Sequence, residues 1–201
     1  MYRYSYQYPT LVNAPMYGFG GQPVHSAFPR EIQQANQFDY PRHYNNHGSL
    51  LLKDFGAGPF VININEATKQ NNTFRTALWT GSHLQITLMS IGVGEDIGLE
   101  MHPHLDQFLR IEQGTGIVQM GENKTNLSFK RNVYDDSAIV IPAGTWHNLT
   151  NTGNIPLKLY SIYAPPNHPF GTVHGTKAEA MAAEEEFGHN SRNTAFFSSF
   201  R

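Results

Sequence analysis

From Leu50 onward the chain consists of short apolar runs set between turn residues, the signature of an all-β sandwich or barrel. Phe60 to Asn65, Leu84 to Ile91, Gln107 to Ile111, Gly116 to Met120, Leu127 to Phe129, Ala138 to Ile141 and Leu157 to Tyr163 read as strands. Gly92 with Gly94, Gly114 with Gly116, and Gly121 supply turns between them. Only Glu66 to Thr76 offers a helix inside this stretch, and the Asn71-Asn72 pair predicts that it is short. A meander of this kind with long return connections closes as a jelly roll.

The rest of the chain is organised around that barrel. Residues 1–48 are rich in Tyr, Gln, Asn, Pro and Gly, carry few charges and show no apolar periodicity, which predicts a poorly ordered or surface-draped arm. Residues 49–175 form the predicted barrel, and 176–201 a short C-terminal helix and tail. Thr176 is placed to cap that helix, which runs from Lys177 to Phe187 with Gly188 just beyond it. Its Glu179, Glu184, Glu185 and Glu186 read as a charged, solvated helix face.

Lys and Arg total 14 against 16 for Asp and Glu, a net charge of -2, so no basic field exists to recruit nucleic acid or anionic lipid. No apolar run approaches a membrane span, and the first residues lack the apolar core of a secretory signal. With no membrane and no nucleic acid among the expected partners, a small-molecule substrate and a homodimer remain. A jelly roll has exposed edge strands that must be covered, paired or charged, and two-fold pairing is the commonest oligomeric arrangement. The absence of cysteine fits a cytoplasmic protein. The Tyr-rich arm instead fits assembly on a bacterial cell or spore surface.

Chemistry concentrates in two segments. Glu100, His102 and His104 alternate, so an extended strand would point all three to one face, and one face can hold one ion. His147 follows a Pro142-Ala143-Gly144 turn on a second strand. Imidazole nitrogen with carboxylate oxygen suits one divalent transition metal (Mn, Fe, Zn, Ni or Co), and two His with one carboxylate is the arrangement used by non-haem iron. With no cysteine, thiolate sites are excluded.

These residues resemble the cupin superfamily. Its second motif is met by Pro142-Ala143-Gly144, His147 and Asn151 at the motif's spacings, with Asp136 standing where the motif has glycine. For the first motif, His102 and His104 form a His-x-His pair, but the residues after it fall out of step. Shifting by two gives Gly94, Glu100, His102, Gln107 and Gly114 at the motif's spacings, with Glu and Gln replacing a His and a Glu. The resemblance then implies a metal ligand set of Glu100, His102, Gln107 and His147. His104 becomes a pocket residue or an alternative ligand, and Gln107 could instead hydrogen-bond a ligand without touching the ion. The implied fold is a jelly-roll β-barrel.

The stretch from Asn72 to Gly81, with Tyr163-Ala-Pro-Pro166 and Gly171-Thr-Val-His174, resembles bacterial single-domain cupins described as mannose-6-phosphate-isomerase-like. That resemblance implies a metal-dependent isomerase acting on a small sugar-like or carbonyl substrate. Such a reaction needs a Lewis acid at the carbonyl and a base at the adjacent carbon. His104 and His168 are the candidate catalytic residues, His168 because its Pro-rich loop follows the last strand and could cap the barrel mouth. No cluster of Arg or Lys lies beside the motifs, which counts against a sugar phosphate. An iron-dependent dioxygenase and a non-enzymatic metal- or sugar-binding surface protein are the alternatives. Trp146, next to His147 in a strand, is expected to face away from the metal.

Overall fold

The computed structural model describes residues 49–186. The predicted arm over 1–48 and the tail beyond 186 lie outside the described residues. In chain order the elements are α1 (Ile64–Gln70), β1 (Arg75–Thr80), β2 (Gln85–Ile91), β3 (Asp106–Gln113), β4 (Gly116–Gly121), β5 (Phe129–Val133), β6 (Ala138–Ile141), β7 (Trp146–Asn151), β8 (Leu157–Ala164) and β9 (Val173–His174). A last helix, α2, occupies residues 177–186. The strands form a six-stranded sheet in the order β6-β3-β8-β2-β1-β9 and a three-stranded sheet in the order β5-β4-β7. Every pairing between these strands is antiparallel. The class is therefore the expected β-barrel with a short C-terminal helix.

Each face of the large sheet buries its own core. Inside, Met89, Ile91, Leu109, Ile111, Leu157 and Leu159 pack against Val118 and Leu149 of the small sheet. Outside, Leu78 and Leu88 are covered by Leu50, Ala67 and the partly buried Phe60, Ile62 and Ile64. This outer cover explains a correction. Phe60 to Asn65 is not a strand: its apolar residues lie across the face of the sheet, and from Ile64 the chain is helical.

Asn63 caps α1 by accepting a hydrogen bond from the Glu66 amide at 3.1 Å. The helix stops at Gln70 instead of reaching Thr76. The Asn71 side chain donates to the Thr73 carbonyl and accepts from the Thr73 hydroxyl, each at 2.8 Å, which turns the chain into β1. Lys158 then reaches from β8 to the Lys69 carbonyl at 2.5 Å, satisfying one free acceptor at the helix end.

The motif glycines have a conformational reason. Gly94, Gly114 and Gly144 have φ of 76°, 93° and 78°, a region closed to most side chains, and Asp136 adopts the same conformation at 68°. Asp is among the few residues that tolerate it, so the departure from the motif at Asp136 preserves the turn. Asn151 is buried and structural: its side-chain nitrogen donates to the carbonyls of Ile91 at 3.0 Å and Ile155 at 2.9 Å, tying the ends of β7 and β2 together.

Candidate metal centre

The segment carrying Glu100, His102 and His104 is not the regular strand its alternation suggests. Glu100 makes an isolated antiparallel bridge to His147, with Glu100 N–H···His147 O at 3.0 Å and the reverse bond at 2.9 Å. Beyond it the chain leaves the sheet and turns at Pro103 and His104. The Pro-x-Gly turn of the other segment supports this departure, because the Gly144 amide donates to the His102 carbonyl at 2.8 Å. Asp106 accepts from the Ala143 amide at 2.9 Å on the same side. The two motifs are thus joined by backbone before any ligand is considered.

The result gathers Glu100, His102 and His147, whose ligand atoms all lie within 4.8 Å of one another. The Glu100 carboxylate is 3.3 Å from His147 Nε2 and 3.5 Å from His102 Nε2. Gln107 is buried on β3 beside Tyr163 of β8, whose ring meets His102 edge-on with centroids 5.8 Å apart. Gln107 donates to the Ser161 hydroxyl at 3.0 Å, while its carbonyl oxygen has no partner. His104 is exposed in the turn, outside the cavity that borders Glu100 and His102.

The donor set fits a cation. His147 Nδ1 lies 2.9 Å from the Thr145 carbonyl, which holds the proton on Nδ1 and leaves Nε2 with a bare lone pair in the neutral ring. That lone pair faces the Glu100 carboxylate, and His102 Nε2 lies 3.5 Å from the same carboxylate. Acceptors turned on one another across such a gap require a proton or a metal between them. Ligands about 2.1 Å from an ion are about 3 Å apart at right angles and about 4.2 Å apart when opposed, so small side-chain adjustments would close this set. Burial alone would raise the Glu100 carboxyl, but hydrogen bonds and charge from His102 and His147 outweigh it and hold the group far below the usual carboxylate range.

A cavity of about 680 Å³ opens beside the cluster. His168 and His174 border it, together with Trp146 and, from α2, Glu184. Trp146, the first residue of β7, borders the cavity, and its ring lies under the Lys124 ammonium, 5.9 Å from the ring centroid. His168 stands with its ring edge-on to Tyr163, centroids 5.1 Å apart. Burial, reinforced by the charge of Arg75, lowers His168 to about 3. Burial likewise pushes the Tyr163 phenol up, so it keeps its proton.

Three contributors escaped the sequence reading. Gln85, fully buried, accepts from the amides of Asn167 at 3.2 Å and His168 at 2.9 Å, and donates to the His168 carbonyl at 2.9 Å, fixing the loop that carries His168. Arg75 lies on β1 with 1% exposure and pairs with Glu184 at 3.0 Å. Glu184 itself was read as part of a solvated helix face. Gln85 did leave a signal: it places a long polar side chain at a position of β2 where alternation demands an inward residue.

A family model described as a cupin domain matches residues 87–163. The chain is 67% identical over 174 residues to the uncharacterised protein YrkC of Bacillus subtilis, covering 87% of this chain and 93% of that one. It is 44% identical to the uncharacterised protein L612 of Acanthamoeba polyphaga mimivirus over 57% of this chain and 70% of the other. Among solved structures, BH2720 of Bacillus halodurans is 70% identical, with a TM-score of 0.65, covering 65% of this chain and 99% of that chain.

Proposed function

The chain belongs to the cupin superfamily, and from that premise we propose that it is a metal-dependent enzyme moving a proton on a small carbonyl or sugar-like substrate, an isomerase-like activity. The observation that carries the reading is the convergence of Glu100, His102 and His147 beside a cavity that Glu100, His102 and His168 all border. Glu100, His102 and His147 would hold the metal, with the unpartnered carbonyl of Gln107 as a fourth donor. Once bound, a divalent ion supplies Lewis-acid polarisation of a substrate carbonyl.

The protein's own groups divide the proton work. His168 carries no proton at neutral pH and accepts one from a substrate carbon. A developing negative charge on the substrate raises the basicity of that imidazole as it is needed. Tyr163 packs edge-on against both His102 and His168 and holds their rings in place. Gln85 keeps His168 over the cavity by gripping its backbone. His104, exposed in the turn, takes no part in this scheme.

The test is proton exchange. Metal-loaded protein incubated with small aldoses and ketoses in D2O should place deuterium at the carbon next to the carbonyl, and His168→Gln should slow that incorporation by about 100-fold or more. Incorporation unchanged in His168→Gln would end the assignment. A second reading, iron-dependent dioxygenation, is favoured by the two-His, one-carboxylate donor set. It predicts dioxygen consumption by the iron-loaded protein and no deuterium incorporation.

A further inference from the structure

We propose that the cavity receives a small oxyanion, and that Glu184 of the C-terminal helix stands in for it by occupying the Arg75 guanidinium until the ligand displaces it. The second anchor, on the metal side, rests on the function proposed above. The Arg75 anchor does not.

Arg75 is an expensive residue to bury. Only 1% of it is exposed, and a guanidinium taken out of water needs compensation for its charge and its five donors. Its Nη1 donates to Glu184 at 3.0 Å, while its Nε–H is buried with no acceptor. Burial works against its charge, but Tyr163, Glu100 and Glu184 hold the group above its ordinary value. The fork that suits a carboxylate or phosphate thus has a donor to spare.

The partner is held differently. The Glu184 side chain is 52% exposed and comes from the last turn of the described part of α2, whereas Arg75 is fixed inside β1 between β2 and β9. Ion pairs with one solvated partner are weak, so the pair opens from the glutamate side. Glu184 also borders the cavity shared with Glu100 and His102, so movement of its carboxylate exposes Arg75 to whatever the cavity holds. Exchanging one anion for another leaves the buried charge unchanged, which avoids the penalty of stranding a guanidinium.

The surroundings favour an anion. His174 pairs with Arg75 across β1 and β9, and both His174 and His168 are shifted down by burial and by the Arg75 charge, so they form a neutral wall. Once Glu184 leaves, Glu100 is the one carboxylate among the residues lining the cavity to set against a divalent ion and Arg75. The matching ligand carries a carboxylate or phosphoryl group for Arg75 and an oxygen for the metal side.

Calorimetric titration of malonate, inorganic phosphate and neutral malonamide into the full chain, with and without Zn2+, tests this. Glu184→Gln should bind malonate or phosphate at least about tenfold more tightly than the natural chain, because the competing charge is gone. The better of the two probes identifies the group recognised. Ligand should also speed amide exchange over residues 177–186 in the natural chain, and Arg75→Gln should bind neither anion. If Arg75→Gln does not fold, Glu184→Gln still decides. Unchanged or weaker anion binding by Glu184→Gln, or malonamide binding as well as malonate, overturns the proposal. Zn2+ titration of Glu184→Gln separates the two ideas: intact metal affinity with no anion gain removes only the stand-in. Arg75-dependent anion binding in a natural chain that fails to bind Zn2+ removes only the metal anchor.

Discussion

The two ends of the barrel interior use the same strands for opposite purposes. At the closed end, inward positions on neighbouring strands pair Ile91 with Leu157 and Met89 with Leu159 and Ile111, all at most 1% exposed. Two and four residues further along, the same inward face carries Thr87 and Ser161, then Gln85, Tyr163 and Gln107. Nothing in the backbone changes between these rows. The closed end is apolar, while the open end leaves Thr87 Oγ1 and Gln107 Oε1 buried without a hydrogen-bond partner. Unpaired buried polar groups cost about 1–3 kcal/mol each. The apolar rows below supply the stability that offsets this cost.

The sharpest way to break this division is to damage the closed end. Leu159→Ala should lower unfolding free energy by about 2–5 kcal/mol, since a buried leucine leaves a cavity its neighbours cannot fill. Metal affinity of the folded fraction should hardly move. Denaturant unfolding with and without Zn2+ would show this, and a loss below about 1 kcal/mol would mean that the rows are not the stabilising layer. Next in size, His102→Ala should reverse the pattern. Metal affinity should fall by more than the 10- to 100-fold that an outer partner costs, with the metal-free stability changed by less than about 1 kcal/mol.

A smaller effect follows from His168, held near 3 in the folded state against about 6.5 unfolded. Above pH 6.5 the ring is neutral in both states and contributes nothing to the pH dependence. Between 6.5 and 3 the unfolded chain takes up a proton that the folded chain refuses, so stability falls as pH falls through that window. Between pH 7 and pH 5 the loss should be under about 2 kcal/mol for the metal-free protein, and absent in His168→Gln. An identical slope in both proteins would show that the ring is not desolvated. The smallest expected change is His104→Ala, which should alter metal affinity by less than about threefold because the ring is exposed in a turn. A loss matching that of His102→Ala would place His104 among the ligands.

Much of the fold was legible because one-sided burial writes itself into alternation. Ala138 to Ile141 is β6 as read, and β2, β3, β4 and β8 differ from their sequence ranges by a residue or two at the ends. Leu127 to Phe129 was misplaced, since β5 starts only at Phe129 and is exposed until Val133, leaving little apolar signal. β1 was hidden for the opposite reason. Arg75, Thr76, Ala77 and Leu78 are all buried, because one face meets the barrel interior and the other the outer cover, and burial on both faces erases alternation. β9 has two residues, too few to carry a period.

The local sequence determined the turns and the donors. Gly94, Gly114, Asp136 and Gly144 specify backbone conformations through their own steric freedom, and Glu100, His102 and His147 bring metal-binding atoms wherever they lie. Both are properties of single residues and short spacings. Which donors meet was decided by tertiary structure alone. Glu100 and His102 reach His147 through a bridge across 47 residues of chain, while His104 is carried outward by a turn that the Gly144–His102 backbone bond helps to set. The same holds for Arg75 and Glu184, which are 109 residues apart in the chain and form an ion pair. Long-range pairs of this kind have no local signature, since the energy that selects them is the burial and charge balance of the assembled barrel.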